Sequence, residues 1–245
     1  MKKINYYRYP HPNNVGDTLT PYILQNFRPD LTFNQVREQV AGKLIAVGSI
    51  MRVIKSGDTI LGSGVMRQTD RFPQASECRF LAVRGKLSRK ILIKYGAKVP
   101  EVYGDPAILL PLMYQPKKKK THKVGIIPHF VDTREVTRDV GFKLAKGDKY
   151  KIIDVFLPWQ EFVEEVLSCE RIVSSSLHGL IIAEAYGIPV EWVVLSQRVI
   201  GDGFKFRDYL TGTDRDIQDP GEFPPLDPNV LDKLQRGLID ALMEL

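Results

Sequence analysis

The chain has 245 residues, of which 43% are hydrophobic and 26% charged, enough apolar material to bury one large core or two small ones and too much for a disordered polymer. Lysine and arginine outnumber aspartate and glutamate by 35 to 29, a net +6, so anionic partners are favoured over cationic ones. No segment approaches the roughly 20 consecutive apolar residues that span a bilayer, and Lys2, Lys3, Asn5, Arg8 and His11 leave no apolar core for an export signal.

In chain order, Ile4 to Tyr9 reads as a strand and Pro10-His11-Pro12-Asn13-Asn14 as a loop. Gly16-Asp17-Thr18 opens a helix that runs to about Phe27, with Asp17 or Thr18 as its N-cap. Lys43 to Val47 and Thr59 to Leu61 are short strands ending in the small-residue turns Gly48-Ser49 and Gly62-Ser63-Gly64. Phe80 to Val83 is a fourth strand, and a helix from Lys86 to Tyr95 stops at Gly96. Val102 to Pro106 is another strand-end turn, and Pro116 with the Lys117–Lys120 run reads as a solvated linker between a first domain, 1–116, and a second, 117–245.

The second half restarts with a strand from Lys123 to Pro128, a polar stretch with no assigned element, and a strand from Lys151 to Val155. Trp159 to Leu167 is an amphipathic helix, with Trp159, Phe162, Val163 and Val166 on one side and Glu161, Glu164 and Glu165 on the other. Arg171 to Val173 is a strand, Leu177 to Tyr186 a helix closed by Gly187, and Pro189 to Leu195 a strand, a unit of the doubly wound kind. Val230, Leu231, Leu234, Leu238 and Leu242 mark a terminal packing helix. The expected fold is α/β, with two Rossmann-like domains facing a cleft.

Ligands of open α/β sheets bind beyond the carboxyl ends of the strands, where helix N-termini present unpaired N–H groups. The residues there include Asn14, Gly16, Asp17, Arg84, Asp105, His129 and the turn Ser174-Ser175-Ser176-Leu177-His178-Gly179. Three hydroxyls and the N–H groups entering a helix suit a phosphate or carboxylate, and His178 can move a proton near neutral pH. Against this, the serines could simply cap the helix and His178 could be a satisfied core histidine. Asp17 could be no more than an N-cap, and Asp105 could serve only its turn. Cys78 and Cys169 suggest reduced thiols in a cytoplasmic protein. His11, His122, His129 and His178 lack metal-ligand spacing, so no metal is expected.

Six motifs occur in order: Asn14-Val15-Gly16-Asp17, Val83-Arg84-Gly85, Gly104-Asp105-Pro106-Ala107, Ile126-Ile127-Pro128-His129, Ser174 to Gly179 with Ala183 and Gly187-Ile188-Pro189, and Lys205-Phe206 with Asp208-Tyr209. Together they resemble the polysaccharide pyruvyl transferase family, in its bacterial exopolysaccharide branch. The resemblance implies a fold similar to the GT-B glycosyltransferases, phosphoenolpyruvate as donor substrate without a further cofactor, and a saccharide acceptor that receives a cyclic pyruvate ketal. For that chemistry His178 is the expected acid, and Asp17 or Asp105 the expected base, since a carboxylate at a strand-end turn can reach a cleft. Asn14, Gly16, His129, Ser174, Ser175, Ser176 and Gly179 fall in the substrate-binding motifs. The familiar motif has an arginine where this chain has Ser176, so the phosphate charge is expected to be met by Arg84, Arg89, Lys205 or Arg207.

Rival readings are a glycosyltransferase using a nucleotide sugar, a serine hydrolase, which the lack of Gly-x-Ser-x-Gly disfavours, and a non-catalytic module. Tyr6-Tyr7-Arg8-Tyr9 interleaves aromatic and basic residues as a module binding nucleic acid or an anionic membrane surface would, though strand packing explains the pattern too. Nucleic acid is not an expected partner of the enzyme. An acceptor carried on a lipid would place the enzyme at the inner face of the membrane.

Overall fold

The computed structural model describes residues 2–10, 14–133, 149–222 and 224–245. His11 to Asn13 of the first expected loop, and most of the polar stretch after His129, lie outside the described residues. Two five-stranded sheets are flanked by helices. In the first, β1 (Lys3–Tyr7), β2 (Thr32–Gln35), β3 (Leu44–Ile45), β4 (Thr59–Leu61) and β5 (Arg79–Ala82) lie in the order β2-β1-β3-β4-β5, all parallel. In the second, β6 (His122–Ile127), β7 (Tyr150–Ile152), β8 (Cys169–Ser174) and β9 (Val190–Trp192) are parallel, and β10 (Gly221–Glu222) closes the edge antiparallel to β9. Its order is β10-β9-β8-β6-β7.

The two sheets therefore share a topology. In each, the second strand lies on one side of the first and the third strand on the other, so the order reverses between β1 and β3 and again between β6 and β8. Chains leaving adjacent strands there diverge to opposite faces and open a crevice at the carboxyl ends. Both crevices contribute to the same cleft, described below.

The helices are α1 (Val15–Phe27), α2 (Lys86–Lys94), α3 (Trp159–Leu167), α4 (Leu177–Ala185), α5 (Phe204–Gly212) and α6 (Pro228–Met243), with a 3-10 turn, Pro106–Leu109, running into a short helical turn, Leu110–Met113. None of the described helices is long and apolar enough to cross a membrane. Helix α4 is buried almost all round, from Leu177 through Ala185, as a helix between two layers must be. Helix α6 returns from the second half to the first: it packs on β4, β5, α1 and the Pro106–Leu109 turn, burying Leu234, Leu238, Ala241 and Leu242. One apolar core joins residues of both sheets, among them Leu44, Leu61 and Leu81 of the first and Ile127 and Ile172 of the second.

The start of α1 corrects the expected N-cap. Asn14, not Asp17 or Thr18, holds that place: its backbone is extended and its side chain accepts the N–H of Asp17 at 3.3 Å. The helix thus begins before Gly16, because Asn14 caps as well as aspartate does, and Asp17 moves into the first turn with its carboxylate released from capping. The Lys117–Lys120 run is exposed along its length and makes two side-chain contacts among the described residues. Lys118 pairs with Glu164 at 2.6 Å, and Lys120 donates to the Cys169 carbonyl.

Candidate active site

A cleft of about 450 Å³ opens where the two switch points meet. From the first half it is lined by Tyr9, Asn14, Asp17, Glu38, Ser49 and Arg52, and from the second by His129, Ser176, Leu177, His178, Arg198 and Lys205. The halves are stitched at its floor, where the N–H of Val15 donates to the Val155 carbonyl at 2.7 Å.

His178 lies in the first turn of α4, flat against the start of α1. A Cβ added to Gly16 would sit 1.9 Å from His178 Nδ1, so only glycine admits the ring. On its other side Nε2 lies 3.5 Å from Asp105 Oδ2, within ion-pair reach. That nitrogen is buried and makes no hydrogen bond among the described residues. The Asp105 carboxylate thus stands near this nitrogen without a hydrogen bond to it, and a buried polar atom in that state is costly.

Two carboxylates flank the histidine and differ in reach. Asp17 faces the cleft, and burial pushes its carboxyl up to about 6 against the opposing pull of His178, Lys205 and Arg8 and the hydrogen bond from Asn14. Asp105 is fully buried behind it, accepting the N–H groups of Ala107 at 3.0 Å and Gly48 at 3.4 Å. It caps the Pro106–Leu109 turn and presents its second oxygen to His178. The turn-fixing function and a histidine-orienting one are thus compatible in one side chain.

The serine turn divides its labour. Ser174 Oγ accepts the Ser176 N–H at 3.0 Å and lies against the Ile127 carbonyl, so it shapes the turn from inside; Gly179 leaves room for it, since a Cβ there would meet Ser174 Oγ at 2.6 Å. Ser175 Oγ accepts the His129 N–H at 2.8 Å and donates to Asp132. Ser176 stands at the N-cap position of α4 without a side-chain capping bond, and it lines the cleft. The helix thus offers its N-terminal N–H groups and the partial positive charge of its dipole at the cleft wall.

The expected cations separate. Lys205 lines the cleft; burial, reinforced by Arg84, lowers its ammonium to about 8. Arg84 is fully buried away from the lining, bonded to Asp208 at 2.9 Å, to the Val65 carbonyl at 2.7 Å and to Ser49 Oγ. It supports Ser49, which does reach the cleft. Arg89 lies elsewhere, donating to the Val99 carbonyl and pairing with Glu101. Arg207 lines a separate hollow, over the Trp192 ring and bonded to Asp202 and Asp219. His129 is at the cleft against Phe130, and burial with the nearby Lys205 and His178 charges lowers its imidazole to about 3, so it is neutral at any physiological pH. Arg52 and Arg198, absent from the sequence-based expectation, supply the guanidiniums of the cleft. Both follow a strand end of their sheet, the one positional signal that pointed to them.

Residues 74–194 match the family model described as polysaccharide pyruvyl transferase. The chain is also 34% identical over 179 residues to an uncharacterized protein of Acanthamoeba polyphaga mimivirus, a match covering 69% of this chain and 60% of that protein. The matched family segment runs from just before β5 to just after β9 and so includes Asp105, His129 and the serine turn, while Asp17 and Lys205 lie outside it.

Proposed function

Because residues 74–194 match the polysaccharide pyruvyl transferase family model, we propose that the cleft transfers the pyruvyl group of phosphoenolpyruvate to two hydroxyls of a saccharide, forming a cyclic ketal. The observation that carries this reading is the placement of His178, its Nε2 buried without a hydrogen bond among the described residues and 3.5 Å from Asp105, beside a cleft-facing carboxylate and in the same cavity as three cationic side chains and a helix N-terminus. A donor with a carboxylate and a phosphate needs that excess of positive charge, and its enol carbon needs an acid.

Protonation of C3 makes C2 electrophilic, and the first sugar hydroxyl adds there. Phosphate leaves, and the second hydroxyl closes the ring. The two hydroxyls release two protons: one replaces the proton given to C3, and the other leaves with phosphate. In this scheme His178 supplies the proton and Asp17, which faces the cleft, accepts one from the attacking hydroxyl. Asp105 is a positioning residue for the His178 ring, because full burial keeps it from the acceptor. Lys205, Arg198 and the α4 N-terminus receive the phosphate, where developing charge meets preorganised donors.

The test is incubation with phosphoenolpyruvate and a panel of saccharides, following phosphate release and the product mass. Phosphate released with a saccharide product that has gained the pyruvyl ketal, and lost in His178→Ala, is the expected result. Consumption of a nucleotide sugar by folded protein that leaves phosphoenolpyruvate untouched would replace this reading with glycosyl transfer.

A further inference from the structure

One buried carboxylate in the wall of the cleft has no part in the chemistry above. Asp132, in the turn after β6, is 1% exposed and does not itself line the cleft. Its Oδ2 accepts from Ser175 Oγ at 3.2 Å. Its Oδ1 accepts from Ser196 Oγ at 2.5 Å and lies 3.6 Å from a terminal nitrogen of Arg198. Ser196 Oγ in turn accepts the backbone N–H of Arg198 at 3.1 Å, and Ser175 Oγ accepts that of His129. A carboxylate taken out of water is costly unless hydrogen bonds and a cation compensate it. Here the compensation joins three segments: the turn after β6, the serine turn between β8 and α4, and the loop between β9 and α5.

Arg198 reaches the cleft from that loop, outside any helix or strand, and it lines the same cleft as Ser176, Leu177 and His178. A long side chain on a loop loses rotamer freedom when it binds an anion, unless it is already ordered. We propose that Asp132 is a positioning residue which holds Arg198 at the N-terminus of α4, so that its guanidinium meets the phosphate end of the donor. The proposal rests on the pyruvyl-transfer reading of the cleft. Guanidinium suits this place because its planar fork binds two phosphate oxygens at once, while the serine turn beneath supplies backbone donors but no formal charge.

Asp132 has a second effect that a merely structural residue would lack. The charged and titratable groups around Lys205 are Arg84 from the turn after β5, Asp17 from α1, and Asp132 and His129 from the segment after β6. Burial and Arg84 lower the Lys205 ammonium to about 8, and Asp17 and Asp132 oppose that shift. Removing the Asp132 charge therefore lets Lys205 lose its proton at a lower pH.

Binding of phosphoenolpyruvate and of inorganic phosphate, each measured by calorimetry between pH 6.5 and 9.5 without acceptor, tests this for the wild type, Asp132→Asn, Arg198→Ala, Arg198→Lys and the Asp132→Asn/Arg198→Ala double variant. Asp132→Asn is expected to weaken binding of either anion about tenfold at pH 7, while keeping a cooperative melt. The pH above which binding weakens is expected to fall, because the Asp132 charge opposes the loss of the Lys205 proton. At pH 7 the double variant is expected to bind little worse than Arg198→Ala alone, since one residue acts through the other, and Arg198→Lys to recover part of the loss. Wild-type affinity in Asp132→Asn, or fully additive losses in the double variant, would overturn the positioning role and leave pyruvyl transfer untouched. Phosphate binding without turnover of phosphoenolpyruvate on any saccharide would instead overturn the transfer reaction, and the phosphate series would still decide the role of Asp132. Wild-type protein that binds neither anion would overturn both.

Discussion

Gly16 and His178 are 162 positions apart, and the imidazole occupies the space where any other residue at 16 would carry its Cβ. Gly16→Ala should therefore push the ring off Asp105 while leaving the fold intact, because the atom displaced is a side chain and not backbone. We expect kcat to fall about 10²-fold or more, the cost of misplacing a reacting group by roughly an ångström, with circular dichroism unchanged. Asp17 makes a pH-dependent case. Its carboxyl is raised from 3.8 to about 6, so a base at this position is lost as pH falls through about 6, and kcat/KM should show an acid limb there. The same shift sets a stability term. A carboxyl raised by folding favours the folded state fully below 3.8 and loses that contribution as pH rises through about 6. Asp17→Asn should thus lower the rate by about 10²–10⁴-fold yet raise the melting temperature at pH 7, by about 2–4 °C for each kcal/mol relieved.

Helix α5 shows why a motif and a role are different things. Its Asp208 accepts from Arg84, from Ser88 N–H at 2.7 Å and from Ser88 Oγ at 2.6 Å, all buried. Thr211 accepts the Lys86 N–H, and a Cβ on Gly85 would meet the Asp208 carbonyl at 1.7 Å. The Val83-Arg84-Gly85 turn and α5 are thus a clamp between the halves, and the clamp sets the place from which Lys205 enters the cleft. Removing the charge of Asp208 strands a buried guanidinium. Asp208→Asn should cost about 3–5 kcal/mol in urea unfolding, and pairing it with Arg84→Met should recover part of that loss. In the sequence, α5 has no apolar period to reveal it, because Lys205 and Asp208 are buried alongside Phe204, Phe206 and Tyr209. Strand β2, only Thr32–Gln35 and half-buried, is equally silent. By contrast α3 and α6 face water on one side, and their apolar spacing located each of them, while the stop at Gly96 located α2.

At the scale of the whole molecule, the halves that the sheets define are not independent in their packing. Leu238 is fully buried and would lie 3.1 Å from a Cβ at Gly104, so α6 completes the core under the first sheet. A fragment of residues 1–116 leaves that surface open and should show no cooperative melt, whereas the full chain should unfold in one transition seen alike by far-ultraviolet dichroism and tryptophan fluorescence. Leu238→Ala should cost about 2–5 kcal/mol, the usual range for a buried leucine. Two separate transitions in the full chain would show that the shared core is energetically minor. The chain also spans about 60% of the mimivirus protein it matches.

The strand-to-helix turn at Ser174 to Gly179 was legible because strand, serines and helix N-terminus follow one another along the chain, and local order is what a sequence records. The same holds for the α/β layering, since apolar runs ending in glycine turns need no distant partner to be read. Which cations reach the cleft was decided only by tertiary structure. Arg84, Arg89 and Arg207 carry the same charge as Arg52 and Arg198, but Asp208, Glu101 and Asp219 engage the first three elsewhere. Side-chain direction and burial depend on contacts made across the fold, as does the difference between Asp17, which faces the cleft, and Asp105, which is sealed behind it.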